Sequence, residues 1–136
     1  VTEYTTHEIT SVKREIVITQ LRTYTEESED NCAVMAVKEV MDYLENGNIN
    51  HSVNYPTCDM GKCKGVCRIA INHKNIKNMI GQFASVLGEA DMNIANMANQ
   101  SKGEYAYSLF DLDTQVTDEV VDKLKNIQGV LKIRIL

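Results

Sequence analysis

A chain of 136 residues, 43% of them apolar, is long enough for one ordinary domain with an appendage and too apolar for global disorder. A net charge of −5, without any cluster of lysine and arginine, speaks against a nucleic-acid or anionic-membrane surface. No run of about 18 apolar residues offers a membrane span. The polar, acidic start VTEYTTHEIT is unlike a secretory signal, so a cytoplasmic protein with no nucleic-acid or membrane partner is the expectation.

Residues 1–24 are weakly patterned; within REIVITQL (14–21), the run Ile16 to Ile18 suits a short strand. A long helix follows over 25–46. Thr25 suits its N-cap, acids in the first turn complement the helix dipole, and Ala33, Val37, Val40, Met41 and Leu44 fall at helical spacing. Val34 and Met35 widen the apolar face, so another chain or the C-terminal domain is expected to cover it. Asn46-Gly47 ends the helix, with Gly47 suited to a left-handed C′ position.

Residues 47–65 carry the only proline, three of the seven glycines and little periodicity, as a linker would. Three of the four cysteines (Cys32, Cys58, Cys63, Cys67) read C-x4-C-x3-C. The C-x2-C knuckle of a structural zinc site is missing, although Cys32 or His51 could complete a set. Reduced thiols, with no metal and no cofactor, are the reading adopted.

Residues 66–136 form one unit. VCRIAINH (66–73) is a strand. NIKNMIGQFASVLGEA (75–90) is a helix with Ile76, Ile80, Phe83, Ala84, Val86 and Leu87 on one broad face. MNIANMANQ (92–100) suits an edge strand, KGE a tight turn, and YAYSLFDLD (105–113) a strand with an irregularity midway. TDEVVDKLKNI is a helix capped by Thr117, and VLKIRIL (130–136) the last strand. Met79, Phe83, Met92 and Met97 read as core or interface, and Asp111, Asp113, Asp118 and Glu119 as capping and solvated charges. The order β-α-β-β-α-β predicts an α+β, ferredoxin-like fold with an N-terminal helical extension. Both helices should lie on one sheet face, leaving the other wet or covered by a partner.

HKNIKNMIGQFASVLGEADMNIANM resembles the ACT regulatory domain at the C-terminus of the D-3-phosphoglycerate dehydrogenase family. TEESEDNCAVMAVKEVMDYLENGNINHSVNYP resembles the helix and linker that join the dehydrogenase body to that domain. The resemblance covers residues 25–136 and implies 1–46 as a remnant of the body, 47–65 as linker and 66–136 as ACT domain. Relatives carry Pro-His-Leu-Gly-Ala just before the segment matching TEESEDN, and its histidine is the catalytic acid/base. By spacing, Gln20 stands at that histidine and Arg22 at the glycine, and an amide cannot shuttle a proton near neutral pH. No G-x-G-x-x-G follows a strand either. The chain is therefore expected to contain no catalytic residue and to be the tail of such an enzyme, truncated or separately encoded.

In serine-regulated relatives the effector lies between two ACT domains. The resemblance places its contacts at His73 and Asn75 in the turn after the first strand, and at the partner's Asn93. Backbone N–H groups of Lys77, Asn78 and Met79 at the next helix would receive a carboxylate. Without the resemblance, Asn75 reads as an N-cap, Asn93 as a strand-entry turn and His73 as a solvated corner. Many ACT domains carry Pro-Gly where this chain has Lys77-Asn78. The expected function is regulatory binding of a small amino acid, L-serine first, by a homodimer joined through ACT edge strands. The alternatives are a ligand-free dimerisation module and a fragment of an active NAD-dependent dehydrogenase.

Overall fold

The computed structural model describes residues 26–136. The strand expected within 14–21, the Thr25 cap and positions 20 and 22 lie outside the described residues. Contacts divide the chain into two compact units, residues 1–38 and 39–136.

Helix α1 spans Glu26–Asn46. It contains no Gly or Pro, and its leading acids face the partial positive charge of its N-terminus. Gly47 follows at φ 73°, the left-handed C′ expected of Asn46-Gly47, and its N–H donates to Tyr43 O at 3.1 Å. Val34, Met35, Val37, Val40, Met41 and Leu44 are 50–58% exposed. The cover expected over this stripe is thus not supplied by the described residues.

The remaining elements are β1 (Cys67–Lys74), α2 (Met79–Glu89), β2 (Ile94–Lys102), β3 (Tyr105–Leu112), α3 (Asp118–Lys125) and β4 (Val130–Ile135). The four strands form one sheet in the order β2-β3-β1-β4, every neighbouring pair antiparallel. This is the ferredoxin-like βαββαβ arrangement. Central β1 and β3 pair without a break from Cys67↔Leu112 to Lys74↔Tyr105. The irregularity expected midway along β3 falls instead on the edges. β2 shifts register between Ile94 and Asn96, and β4 shifts where β1 passes from Asn72 to His73. An unpaired residue distorts an edge strand more cheaply than a strand paired on both sides.

One sheet face carries Ile69, Ile71, Phe110 and Leu112, packed by Met79, Phe83 and Leu87 of α2 and by Val120 and Leu124 of α3. Those helical positions recur every four residues, so each helix buries a single stripe. Met79, Phe83 and Met92 are core as expected, whereas Met97 on the edge strand is exposed.

The other face is neither wet nor left to a partner. Ile49 and Cys58 close an antiparallel bridge, and with Tyr43, Tyr55, Met60 and Leu136 they pack over Ala70, Tyr107 and Leu109. Residues 47–65 hold no helix or named strand, yet they fold back as a strap over the sheet. Asn48 organises the strap from a buried position. Its amide nitrogen donates to Asp42 Oδ1 at 2.9 Å and to Gly61 O at 3.1 Å, and its oxygen accepts from Met60 N at 3.0 Å. Tyr107 fixes the strap's start by donating its hydroxyl to Gly47 O at 2.7 Å.

Candidate functional site

The turn after β1 is held from below and from the side. His73, on the helix face of β1, is 2% exposed, and the Phe83 ring meets it edge-on at 5.2 Å between centroids. Its Nδ1 is 2.9 Å from Lys74 O and its Nε2 2.9 Å from Ser108 Oγ. Ser108, fully buried on β3, donates its hydroxyl to Asn99 Oδ1 on β2 at 2.8 Å. His73 is thus a built-in core residue rather than a solvated corner. A ligand reaches it only if the ring gives up a partner.

Asn75 is exposed, but the β2–β3 hairpin holds it. Its N–H donates to Glu104 O at 2.8 Å, and its side-chain amide donates to Gly103 O at 3.1 Å. This tie delays α2, which starts at Met79 rather than at 75. The residue before the helix is Asn78, in the left-handed conformation (φ 64°, ψ 20°) with no side-chain cap bond. That conformation favours glycine, and asparagine tolerates it best among residues with a Cβ. The turn thus takes a conformation that suits glycine while carrying an asparagine. Lys77 and Asn78 are exposed. The Met79 side chain is core, so only its backbone faces the turn. The first backbone bond back to the cap comes from Gln82 N to Asn78 O at 3.1 Å. The N–H groups of Met79, Ile80 and Gly81 are left without an intrahelical acceptor.

Asn93 stands elsewhere. Its carbonyl accepts from Asp113 N at 3.3 Å, at the end of the sheet opposite Asn75 and Glu104. The length of β3 separates the two positions, roughly 25–30 Å at about 3.4 Å per residue. One chain thus brings His73, Asn75, Lys77, Asn78 and Met79 together, and leaves Asn93 apart. A shared site needs a second copy.

Sequence reasoning missed two groups of residues. Ser108 falls on the same face as Phe110 and Leu112, and that polar residue in an apolar alternation was the available signal. Arg68 and Asp111 are both fully buried under the strap, so Asp111 is a buried partner and not a solvated charge. Arg68 Nε donates to Asp111 Oδ1 at 2.5 Å and Nη2 to Oδ2 at 2.9 Å. Its Nη1 donates to Asn46 O at 2.8 Å and Gly61 O at 2.6 Å. Burial alone would raise the Asp111 carboxyl. The Arg68 hydrogen bonds, the Lys64 N–H and the Arg68 charge outweigh it, and the carboxyl stays below its ordinary value. Burial also pushes the Cys58 thiol up to about 11, with help from Asp59. It raises the Cys67 thiol too. Both sulfurs are protonated and unreactive near neutral pH. Among the described residues no three His, Cys, Asp or Glu gather as a metal-holding group, and no helix is long and apolar enough to cross a membrane.

No family model matches the chain. It is 27% identical over 112 residues to the D-3-phosphoglycerate dehydrogenase of Haemophilus influenzae, covering 82% of this chain and 27% of that protein. It is 25% identical over 138 residues to D-3-phosphoglycerate dehydrogenase 2 of Saccharomyces cerevisiae, covering 96% of this chain and 29% of that protein. The chain spans little more than a quarter of the length of these curated relatives. Among solved structures, the ACT domain of a Chlorobium tepidum GTP pyrophosphokinase aligns with a TM-score of 0.46 at 25% identity, over 52% of this chain and 95% of that one. The regulatory subunit of Thermus thermophilus aspartate kinase aligns with a TM-score of 0.44 at 11% identity, over 52% and 49%. The chain is thus similar to D-3-phosphoglycerate dehydrogenases over most of its length, as residues 25–136 implied.

Proposed function

We propose that residues 66–136 are a regulatory domain that binds a small amino acid, L-serine first, between two copies of the chain. We place the domain in a protein of the D-3-phosphoglycerate dehydrogenase type. The observation that carries this reading is the position of β2. It is an edge strand, and its Lys102 end adjoins the Asn75 turn through Gly103 and Glu104. Antiparallel pairing of two such edges sets the start of one β2 against the end of the other. The partner's Asn93 then approaches the His73–Met79 turn, which one chain cannot achieve.

The chemistry suits a zwitterion. The α2 N-terminus, where the N–H groups of Met79, Ile80 and Gly81 precede the first intrahelical bond, and the exposed Lys77 favour a carboxylate. An asparagine amide from the partner offers an acceptor for an ammonium and a donor for a hydroxyl. A ligand at that seam stabilises one angle between the two copies, and that angle is what an attached catalytic body would feel. Titration calorimetry with millimolar L-serine should show saturable heat that Asn93→Ala abolishes. Absence of heat, with no shift in melting temperature for any of the twenty amino acids, would remove the sensing role.

A second reading has its own observation. Both His73 ring nitrogens are engaged, Asn75 is tied to the hairpin, and Asn78 has a side chain where glycine would admit a ligand. A dimerisation module without a ligand fits these facts. It predicts a dimer by sedimentation that is indifferent to amino acids and to Asn93→Ala.

A further inference from the structure

His73, Ser108 and Asn99 form a polar track across three strands on the otherwise apolar helix face. The track starts at a buried ring and ends on the exposed edge strand. A serine hydroxyl has one proton to give. Here it goes to Asn99 Oδ1, so Ser108 Oγ must accept from His73 Nε2–H. The neutral ring then presents a bare Nδ1 to Lys74 O, which already accepts from Ile76 N at 2.9 Å.

Reversing the Asn99 amide, whose two ends are nearly isosteric, inverts both bonds of Ser108 and replaces the facing acceptors Nδ1 and Lys74 O by a hydrogen bond. Asn99 Nδ2 donates to Ser108 Oγ, Ser108 donates its hydroxyl to Nε2, and Nδ1–H donates to Lys74 O. Each orientation of an exposed amide thus dictates a different proton position on a histidine that is 2% exposed. The Phe83 contact keeps the ring from escaping by rotation.

We infer that Asn99 and Ser108 are positioning residues that couple the β2 edge to the hydrogen-bonding state of His73. Whatever binds Asn99 from outside selects the state. A carboxylate draws Nδ2 outward and keeps Oδ1 on Ser108, which holds the proton on Nε2. An ammonium or a hydroxyl donor draws Oδ1 outward and moves the proton to Nδ1. The inference rests on the amino-acid site proposed above for its ligand, but the proton coupling stands on the track alone.

The test is the imidazole 15N spectrum of His73 in the full chain, at a pH where the ring is neutral. Asn99→Asp presents only an acceptor to Ser108 and should hold the proton on Nε2. Asn99→Ala frees the Ser108 hydroxyl for Nε2 and should place the proton on Nδ1. Ser108→Thr keeps the hydroxyl and should keep the wild-type signature, whereas Ser108→Ala should lose it. One tautomer shared by wild type, Asn99→Asp and Asn99→Ala overturns the coupling. Both Asn99 variants alter an exposed residue, so unchanged circular dichroism makes the comparison fair. Saturating L-serine should move the His73 signals in wild type and not in Asn99→Ala. If L-serine binds and the His73 signals stay fixed in wild type, the ligand coupling is overturned. If no amino acid binds, the site proposal fails, and the variant spectra alone decide the relay.

Discussion

At the scale of single residues the turn is set by Asn78 and Gly81. Asn78 holds a left-handed backbone that costs any residue with a Cβ, and its side chain folds over the first turn of α2. A Cβ added at Gly81 would overlap Asn78 Oδ1, so the exposed Asn78 side chain must swing away to admit it. The two substitutions should therefore couple. Asn78→Gly relieves the backbone and should be neutral or stabilising by up to about 1 kcal/mol. Gly81→Ala should gain little stability alone, because moving the Asn78 side chain offsets part of the gain in helix propensity. In the Asn78→Gly background it should instead stabilise, by up to about 1 kcal/mol from helix propensity. Urea unfolding of the four proteins measures the cycle, and an equal effect of Gly81→Ala in both backgrounds would disprove the contact. The resemblance could flag Lys77-Asn78 as a departure from Pro-Gly. It could not reveal that Asn78 takes the left-handed conformation, since a backbone angle at one position is set by the tertiary frame around the turn.

At the scale of elements the strap is held by a buried charge pair. Helix α1 has no basic residue in its last turn. The cations come from the sheet: Arg134 donates to Tyr43 O at 3.1 Å and Leu44 O at 3.0 Å, and Arg68 donates to Asn46 O. Arg68 depends in turn on Asp111. This was illegible in the sequence, because 43 positions separate the pair and a strap without periodicity reads as linker. Asp111→Asn leaves Arg68 buried without its counter-charge and should cost about 3–5 kcal/mol near neutral pH. The acid dependence follows from the lowered carboxyl. The unfolded chain holds that proton more tightly, so the stabilisation is complete above the unfolded value of about 4. It is lost as pH falls from there through the folded value. Wild type should lose stability steeply as pH falls below about 4, and Asp111→Asn much less. Parallel losses in the two proteins, followed by urea unfolding across that range, would mean that the pair is not the acid-sensitive clamp.

For the whole molecule, the order of elements from 66 onward was readable because each amphipathic segment has one period and short connections leave few topologies. The cover on the second sheet face was not, because it comes from tertiary bonds of Asn48, Arg68 and Tyr107 rather than from a repeat. That cover limits what the sheet itself leaves for a partner. With one face under helices and the other under the strap, the sheet offers its edges, apart from the exposed apolar stripe of α1. On β4, Arg134 reaches back to α1 and Lys132 is a charge on the strand. On β2, IANMANQSK offers no proline and no charge before Lys102. Such an edge invites strand pairing. If Ile94 of one copy faces Lys102 of the other, the two-fold axis passes beside Ala98, and Met97, exposed on the helix face, lies next to it. Met97→Lys then sets two ammonium groups beside one axis while disturbing each chain by no more than about 0.5 kcal/mol, as surface changes do. Sedimentation should show wild-type dimers and Met97→Lys monomers at the same concentration. The monomer should also lose its heat with L-serine, because the partner's Asn93 is gone. A Met97→Lys dimer would place the interface elsewhere, and a monomeric variant that still binds L-serine would confine the site to a single chain.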